Sequence, residues 1–266
     1  MIDDFTMITH QFDDTIRIIP VGDVHLGAIE HDQKAWEDFL LRIRAADDTY
    51  VILLGDLLNN NTRSAVGNPF DEILRPMEQK KIMTEYLKPL ADGDKILAMV
   101  NGNHEYRTAK ESDQDLSYDI ACRLGIENLY RPNMAFIKIS LGRRGKSDDK
   151  QPNVSYHIAC VHGNAGGALS GGVVNRNERS AGIIENCDCF LVGHSHKGML
   201  TRPSKIVIDT HNNAVVLKSY LVASAESWMT YGGYAARKQL VPAEHGNPFV
   251  LTLINSKTSK RIEVTW

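Results

Sequence analysis

The 266-residue sequence has no apolar run approaching the roughly 18 residues of a membrane-spanning helix. Its first residues, with Asp3, Asp4, Asp13 and Asp14, also lack the basic-then-apolar order of a signal peptide. A soluble, unexported protein is the expectation. Cysteine is scarce: Cys122, Cys160, Cys187 and Cys189 form no C-x-x-C pair and mostly have apolar neighbours. That favours reduced core thiols over disulfides, and a cytoplasmic setting. An excess of positive charge is missing too. Lys and Arg number 30 against 33 Asp and Glu, giving a formal net charge of -3 and a pI near 6.4, so no global positive field would steer nucleic acid to the surface. A local groove stays open as an option. The sequence holds no internal repeat or low-complexity segment, and α/β folds of this size are often single, so residues 1–266 are read as one domain.

What is present is an alternation of short β-rich runs with helical patterns, the signature of parallel strands joined by crossover helices. Strands are expected over 15–21, 50–54, 95–100, 156–161 and 189–192. Trp36, Phe39, Leu40 and Ile43 follow i, i+3, i+4, i+7 spacing behind a cap at Asp32, which predicts a helix. A second, over Met77 to Leu87, has Pro76 in its first turn and Pro89 marking its end. Later, Lys205–Asp209 with Ala214–Tyr220, and Phe249–Ile254 with Arg261–Trp266, read as hairpins, suggesting a second sheet packed on the first. Arg143 to Gln151 reads as a solvated loop.

Each of the five strands runs into a short polar motif: Asp23-Val24-His25, Gly55-Asp56, Gly102-Asn103-His104-Glu105, His162-Gly163 and Gly193-His194-Ser195-His196. Open α/β sheets place their sites at such C-terminal strand ends. The motifs offer carboxylate, amide and imidazole donors, the mixture that binds divalent transition metals, in numbers too large for one ion. Two adjacent ions are implied, with Mn²⁺ favoured and Fe or Zn²⁺ as alternatives, because the set suits them better than Ca²⁺. Such a pair can clamp a phosphoryl group and lower the pKa of a bound water.

In this order, the motifs resemble those of the calcineurin-like metallophosphoesterases, over residues 16 to 200. The resemblance implies two packed mixed β-sheets flanked by helices, a four-layer αββα sandwich. It implies that Asp23, His25 and His196 hold one metal, that Asn103, His162 and His194 hold the other, and that Asp56 bridges them. His104 would face the leaving group as an electrostatic stabiliser or general acid. One departure stands out: many members carry an aspartate three residues after the bridging carboxylate, where this chain has Asn59. An amide can hold the His104 ring but stabilises its protonated form less.

The expected activity is phosphoester hydrolysis, with a lean toward phosphodiesters of nucleotides or nucleic acid, because Asp23-Val24-His25-Leu26-Gly27 looks like the opening motif of repair-nuclease relatives. Phosphoprotein phosphatase is the enzymatic alternative, weakened by Asn60 where that branch usually has arginine. A degenerate, non-catalytic binding scaffold is the other, disfavoured because the whole ligand set is present. Arg63, Arg107, Arg176 and Lys197 lie near motif loops in sequence and are candidates for substrate phosphate contacts. The stretch from Gly163 to Gly172 is open to close backbone approach by substrate or to simple mobility. His10, His31, His157, His211 and His245 lack ligand spacing and are expected to be structural or exposed.

Overall fold

The computed structural model describes residues 5–62, 65, 71–142, 153–164 and 169–266. Two six-stranded mixed sheets carry the fold. The first is built on four parallel strands, β2 (Ile16–Val21), β3 (Thr49–Leu53), β4 (Ile96–Val100) and β5 (Tyr130–Arg131), in that order. The antiparallel hairpin β13 (Val250–Leu253) and β14 (Ile262–Thr265) extends it beside β2. The second sheet runs β1 (Met7–Phe12), β6 (Met134–Leu141), β7 (Val154–Val161), β8 (Cys189–Val192), β12 (Leu221–Ser224) and β9 (Met199–Thr201).

Strand alternation explains the layering. Ile16, Ile18, Ile52 and Leu54 of the first sheet meet Ile137, Ile139, Tyr156, Ile158 and Leu191 of the second in one buried cluster. The intervening residues Ile19, Val21, Val51 and Leu53 face the opposite way, onto Trp36, Phe39, Leu87 and Ile120. Those side chains come from helices α1 (Gln33–Ala45), α2 (Pro76–Asp92) and α4 (Leu116–Leu124). On the far side, Ala159, Phe190, Val192 and Val222 pack with Ala181 of α5 (Ser170–Gly182). The expected four-layer order is therefore present, and strands buried on both faces account for the nearly continuous apolar runs.

Local signals for α1 are met in full: the Asp32 side chain accepts from Ala35 N, and Trp36, Phe39, Leu40 and Ile43 are the buried face. For α2 there is a correction. Pro76 does open the helix, but the chain continues helically through Pro89 to Asp92. A proline here removes the amide that would pair with the Glu85 carbonyl, and Glu85 is exposed, so solvent can serve that acceptor. The late hairpins are corrected as well. Residues 249–254 and 261–266 do pair, but join the first sheet. β10 (Ser204–Asp209) and β11 (Ala214–Ser219) form a separate ribbon, with Ile206, Ile208, Val215 and Leu217 exposed. The second large sheet instead recruits β7 and β8, two of the motif-bearing strands. The polar stretch 143–151 lies outside the described residues.

All four cysteines are free thiols; Cys160 and Cys189 are buried, while Cys122 is exposed on α4 rather than in the core. Among the described residues, no helix is long and apolar enough to cross a membrane.

Candidate metal centre

Asp23 follows β2, Asp56 follows β3, Asn103 opens helix α3 (Asn103–Ser112) after β4, His162 follows β7, and His194 follows β8. Three motif strands belong to one sheet and two to the other, so the site lies on the rim where both sets of C-terminal strand ends meet. The loops there are held in an unusual backbone state. Asp23 (φ 54°), His25 (φ 49°), Asp56 (φ 50°), His194 (φ 68°) and His196 (φ 56°) all adopt the left-handed region. Each costs roughly 1–2 kcal/mol for a residue with a Cβ, a strain that persists only where surrounding contacts enforce it.

Those contacts are specific. Asp23 N donates to Gly55 O at 3.1 Å, His25 N to Asp56 O at 3.0 Å, and Trp228 N to Asp23 O at 3.0 Å. The His31 ring is 2.8 Å from Val24 O. Glu105 is fully buried and accepts from the amides of Asp56 (3.0 Å) and Leu58 (2.8 Å), fixing the turn that carries the central carboxylate. A Cβ at Gly102 would overlap the Asp56 amide, the Asp56 carboxylate and the Glu105 carboxylate, so only glycine allows the two loops to stack this closely. Sequence reasoning gave Glu105 and Trp228 no role. The position of Glu105 inside its motif was a usable signal, whereas nothing local marked Trp228.

The side-chain donors converge. His25 Nε2 lies 3.1 Å from His196 Nε2, which lies 3.4 Å from Asp23 Oδ1. On the other side, Asn103 Oδ1 is 2.8 Å from His162 Nε2 and 2.7 Å from His194 Nδ1, and those ring nitrogens are 3.2 Å apart. Asp56 Oδ2 sits between the groups, 3.3 Å from His162 Nε2 and 3.9 Å from His25 Nε2. The outer atoms are anchored: Asp23 Oδ2 accepts from His194 N (2.8 Å), Asp56 Oδ1 accepts from His104 N (2.8 Å), and His162 Nδ1 faces Leu54 O at 2.8 Å. This last contact places the hydrogen on Nδ1 and leaves the Nε2 lone pair directed into the site, the usual outer-shell arrangement for a ligating histidine.

The donor set fits divalent cations. Atoms bound about 2.0–2.2 Å from one ion stand roughly 3–3.5 Å apart, close to the spacing within each group. Asp23 Oδ1 is buried with no hydrogen-bond partner among the described residues. Asp23 and Asp56 are both buried, and no described lysine or arginine forms an ion pair with either. Burial pushes the Asp23 carboxyl up to about 8. Burial pushes Asp56 the same way, but His162, His104 and His25 outweigh it and hold that carboxyl well below the usual range. Burial opposes a proton on His162, yet Asp56 and Asp23 bring the ring up to about 10. Without another cation, the carboxylates draw a proton onto a ring whose lone pair belongs to the site. Burial drives His196 down to about 4, so its ring presents a neutral donor nitrogen.

The remaining site residues are placed unevenly. The His104 ring lies 4.4 Å from that of His25, and its Nε2 is 3.8 Å from Asp56 Oδ2. Its Nδ1 is held by the backbone carbonyl of Asn59 at 2.6 Å, while the Asn59 side chain turns away to Glu72. The ring is thus gripped by the main chain at the position of the departure, a contact that residue identity did not disclose. Arg107 lies beside His104, with Nη2 at 2.8 Å from Nε2. Arg176, on α5, donates to the carbonyl of Asn164, two residues after His162. Lys197 is in the loop carrying His194 and His196, where its carbonyl accepts from Ser195 Oγ at 3.3 Å. Arg63 lies outside the described residues, as do residues 165–168 of the glycine-rich stretch, while 170–172 begin α5. The rings of His10, His31 and His245 bond to Leu97 O, Val24 O and Asp32, His157 donates its backbone amide to Asp188 with its ring 3.6 Å from that carboxylate, and His211 is in an exposed turn.

Among solved structures, the chain is similar to the calcineurin-like phosphoesterase YfkN from Bacillus subtilis, at 11% identity and a TM-score of 0.41, covering 94% of this chain and 90% of that one. It is also similar to a conserved uncharacterized protein, a predicted phosphoesterase, from Streptococcus pneumoniae TIGR4, at 11% identity and a TM-score of 0.36, covering 94% and 88%. No protein among the curated sequences is significantly similar. The family model for calcineurin-like phosphoesterases matches residues 16–198, a span that contains all five motifs. The chain therefore belongs to the calcineurin-like phosphoesterases, metal-dependent hydrolases of phosphoesters.

Proposed function

We propose that this protein is a dinuclear phosphodiesterase, with nucleotides or nucleic acid as its substrate class. Asp23, His25 and His196 would hold one ion, Asn103, His162 and His194 would hold the other, and Asp56 would be shared between them. The convergence of these seven side chains into two groups joined at Asp56 Oδ2 is the observation that carries the dinuclear assignment. The diester and nucleotide preference rests on the likeness of Asp23-Val24-His25-Leu26-Gly27 to the opening motif of repair nucleases. His104 also falls near Asp56 and His25. Its ring nitrogens already face Asn59 O and Arg107, which suits a place beside the leaving group rather than ligation.

Mn²⁺ is the favoured ion, with Fe or Zn²⁺ as alternatives. The ions supply Lewis-acid charge and a nucleophilic water at neutral pH. The chain's own work is to hold the donors before substrate arrives. Leu54 O fixes the His162 tautomer, His104 N and His194 N orient the two carboxylates, and Glu105 locks the turn under Asp56. Arg107 and Arg176 are the described cations assigned to substrate phosphates; Arg63 joins them on its place in the sequence alone. The whole chain is taken as one domain working in the cytoplasm, in keeping with its four unpaired cysteines.

The phosphatase alternative loses ground at Asn60. That side chain is fully buried and spends its amide on His104 O (2.7 Å) and Thr108 Oγ1 (2.9 Å), so it offers nothing to a phosphate dianion.

Two measurements test this reading. Elemental analysis of protein supplied with excess Mn²⁺ is expected to give two metals per chain; an uptake of one at most sinks the dinuclear assignment. Bis(p-nitrophenyl) phosphate and p-nitrophenyl phosphate share a leaving group, so comparing them isolates the preference for phosphoryl charge and shape. The diester is expected to have the higher kcat/KM, with cyclic nucleotides and single-stranded DNA as the follow-up. A clear monoester preference with neither nucleotide substrate cleaved restores the phosphatase alternative.

A further inference from the structure

The ribbon of β10 and β11 inverts the usual placement of apolar and charged residues. Ile206 stands opposite Leu217 and Ile208 opposite Val215, and these four side chains, all on one face, are 74, 74, 73 and 69% exposed. Ser204 and Ser219, 2.8 Å apart through their hydroxyls, close that face at its base, so it carries no charge. Strand alternation sends the charged residues Lys205, Asp209 and Lys218 to the other face, toward the body of the protein. There Lys205 Nζ donates to the carbonyls of Gly182 (2.8 Å) and Ile184 (2.7 Å), and Lys218 Nζ donates to Asn186 Oδ1 at 3.2 Å. The ribbon also lies far from the chemistry. β12 runs parallel to β8, whose C-terminal end leads to His194, and β9 runs antiparallel to β12, with Thr201 beside Val222. The chain therefore enters β10 and leaves β11 at the end of the second sheet remote from the metal centre.

We infer that the outer face of this ribbon is an interface between two copies of the chain, stacked face to face about a two-fold axis with the ribbons antiparallel. An isologous contact needs a surface that complements itself. Uncharged aliphatic rows do so, whereas a partner of different sequence would be selected by charged groups that this face lacks. A two-stranded hairpin is marginal alone in water and gains stability when its apolar face is covered; a second ribbon supplies that layer about 10 Å away. Each ribbon is tied to its own subunit at its base, so laying tip over base keeps the two bodies at opposite ends. The charges agree with that direction: Lys205 and Lys218 sit opposite each other near the base and Asp209 lies at the tip, so antiparallel stacking brings unlike ends together. Such a patch is of the order of 300–600 Å², short of the roughly 800 Å² per partner of a standard stable interface. The dimer is therefore reversible and concentration-dependent, and it leaves both metal rims open.

Sedimentation velocity on the full chain over a wide range of concentration tests this directly. The wild type is expected to pass from the mass of one chain to that of two as concentration rises. Ile208→Lys and Leu217→Lys, one on each strand, bring a charge from both copies into the layer between the ribbons. Both should stay at the mass of one chain throughout, with unchanged far-UV circular dichroism. Ile208→Thr and Leu217→Thr keep a β-compatible or comparably small polar side chain on the same face and carry the comparison where a lysine variant does not fold. Leu41→Lys changes an exposed leucine on α1 and should dimerise as the wild type does. A wild type that remains monomeric at every concentration overturns the inference. So does a dimer that persists in both lysine variants, or one lost equally in Leu41→Lys. The readout is mass rather than turnover, so a failure of the phosphodiesterase reading leaves this result standing, and the reverse holds too.

Discussion

Asp56→Asn is expected to abolish turnover and metal occupancy together, with activity falling by more than ~100-fold, since even loss of an outer-shell partner costs 10- to 100-fold. The substitution is nearly isosteric. An amide oxygen can still accept the His104 amide in place of Oδ1, so the turn keeps its support from that contact and from Glu105. What disappears is the negative charge on Oδ2, the atom shared between the two donor groups. A terminal ligand affects one ion, whereas the bridging carboxylate neutralises and spaces both, so Asp56→Asn should be worse than His25→Ala or His194→Ala. Metal content by elemental analysis and kcat on a diester are read on the same sample. A variant that retains two metals and most of its turnover shows that Asp56 is misassigned.

His104→Ala should separate chemistry from metal binding. Both metals stay, while kcat falls about 10²- to 10⁴-fold, the range for losing a charge-stabilising or proton-transferring group at a leaving oxygen. The ring hydrogen-bonds through Asn59 O and Arg107 and lies outside the proposed ligand set, so its loss leaves the seven donors in place. The Asp56 anchor also survives, because it uses the backbone amide of residue 104. Unchanged turnover on a poor leaving group would remove His104 from the reaction.

Much of this site was legible in the chain because its chemistry is local. Asp23, Asp56, Asn103, His162 and His194 each follow an apolar strand within three residues, so strand prediction and motif position together place them on one rim. Helix α1 was equally plain, since a cap at Asp32 and four apolar residues at helical spacing are properties of one segment. What escaped was non-local. Which strands share a sheet depends on pairing partners far apart in sequence, so the late hairpins could not be assigned to the correct sheet. Pro89 misled because its cost depends on whether the Glu85 carbonyl reaches solvent, a property of the folded surface. Asn59 was readable as a missing carboxylate, but its main chain supplies the contact, and side-chain identity says nothing of that.

The dependence of the first motif on the last part of the fold has a consequence for biosynthesis. Asp23 is oriented through a bond to His194, 171 residues later, and its carbonyl is clasped by the still later Trp228, whose ring packs against Trp36 and Phe39. During synthesis from the N-terminus, the first carboxylate and first histidine leave the ribosome long before anything exists to hold them in their left-handed turns. A nascent chain that has not reached Trp228 lacks the amide that donates to Asp23 O and the ring that packs on Trp36 and Phe39, so the first donor turn is completed only after translation has passed this point. Binding at the proposed centre would then follow the folding of the late segment rather than precede it, because the first donor turn is completed by residues made last.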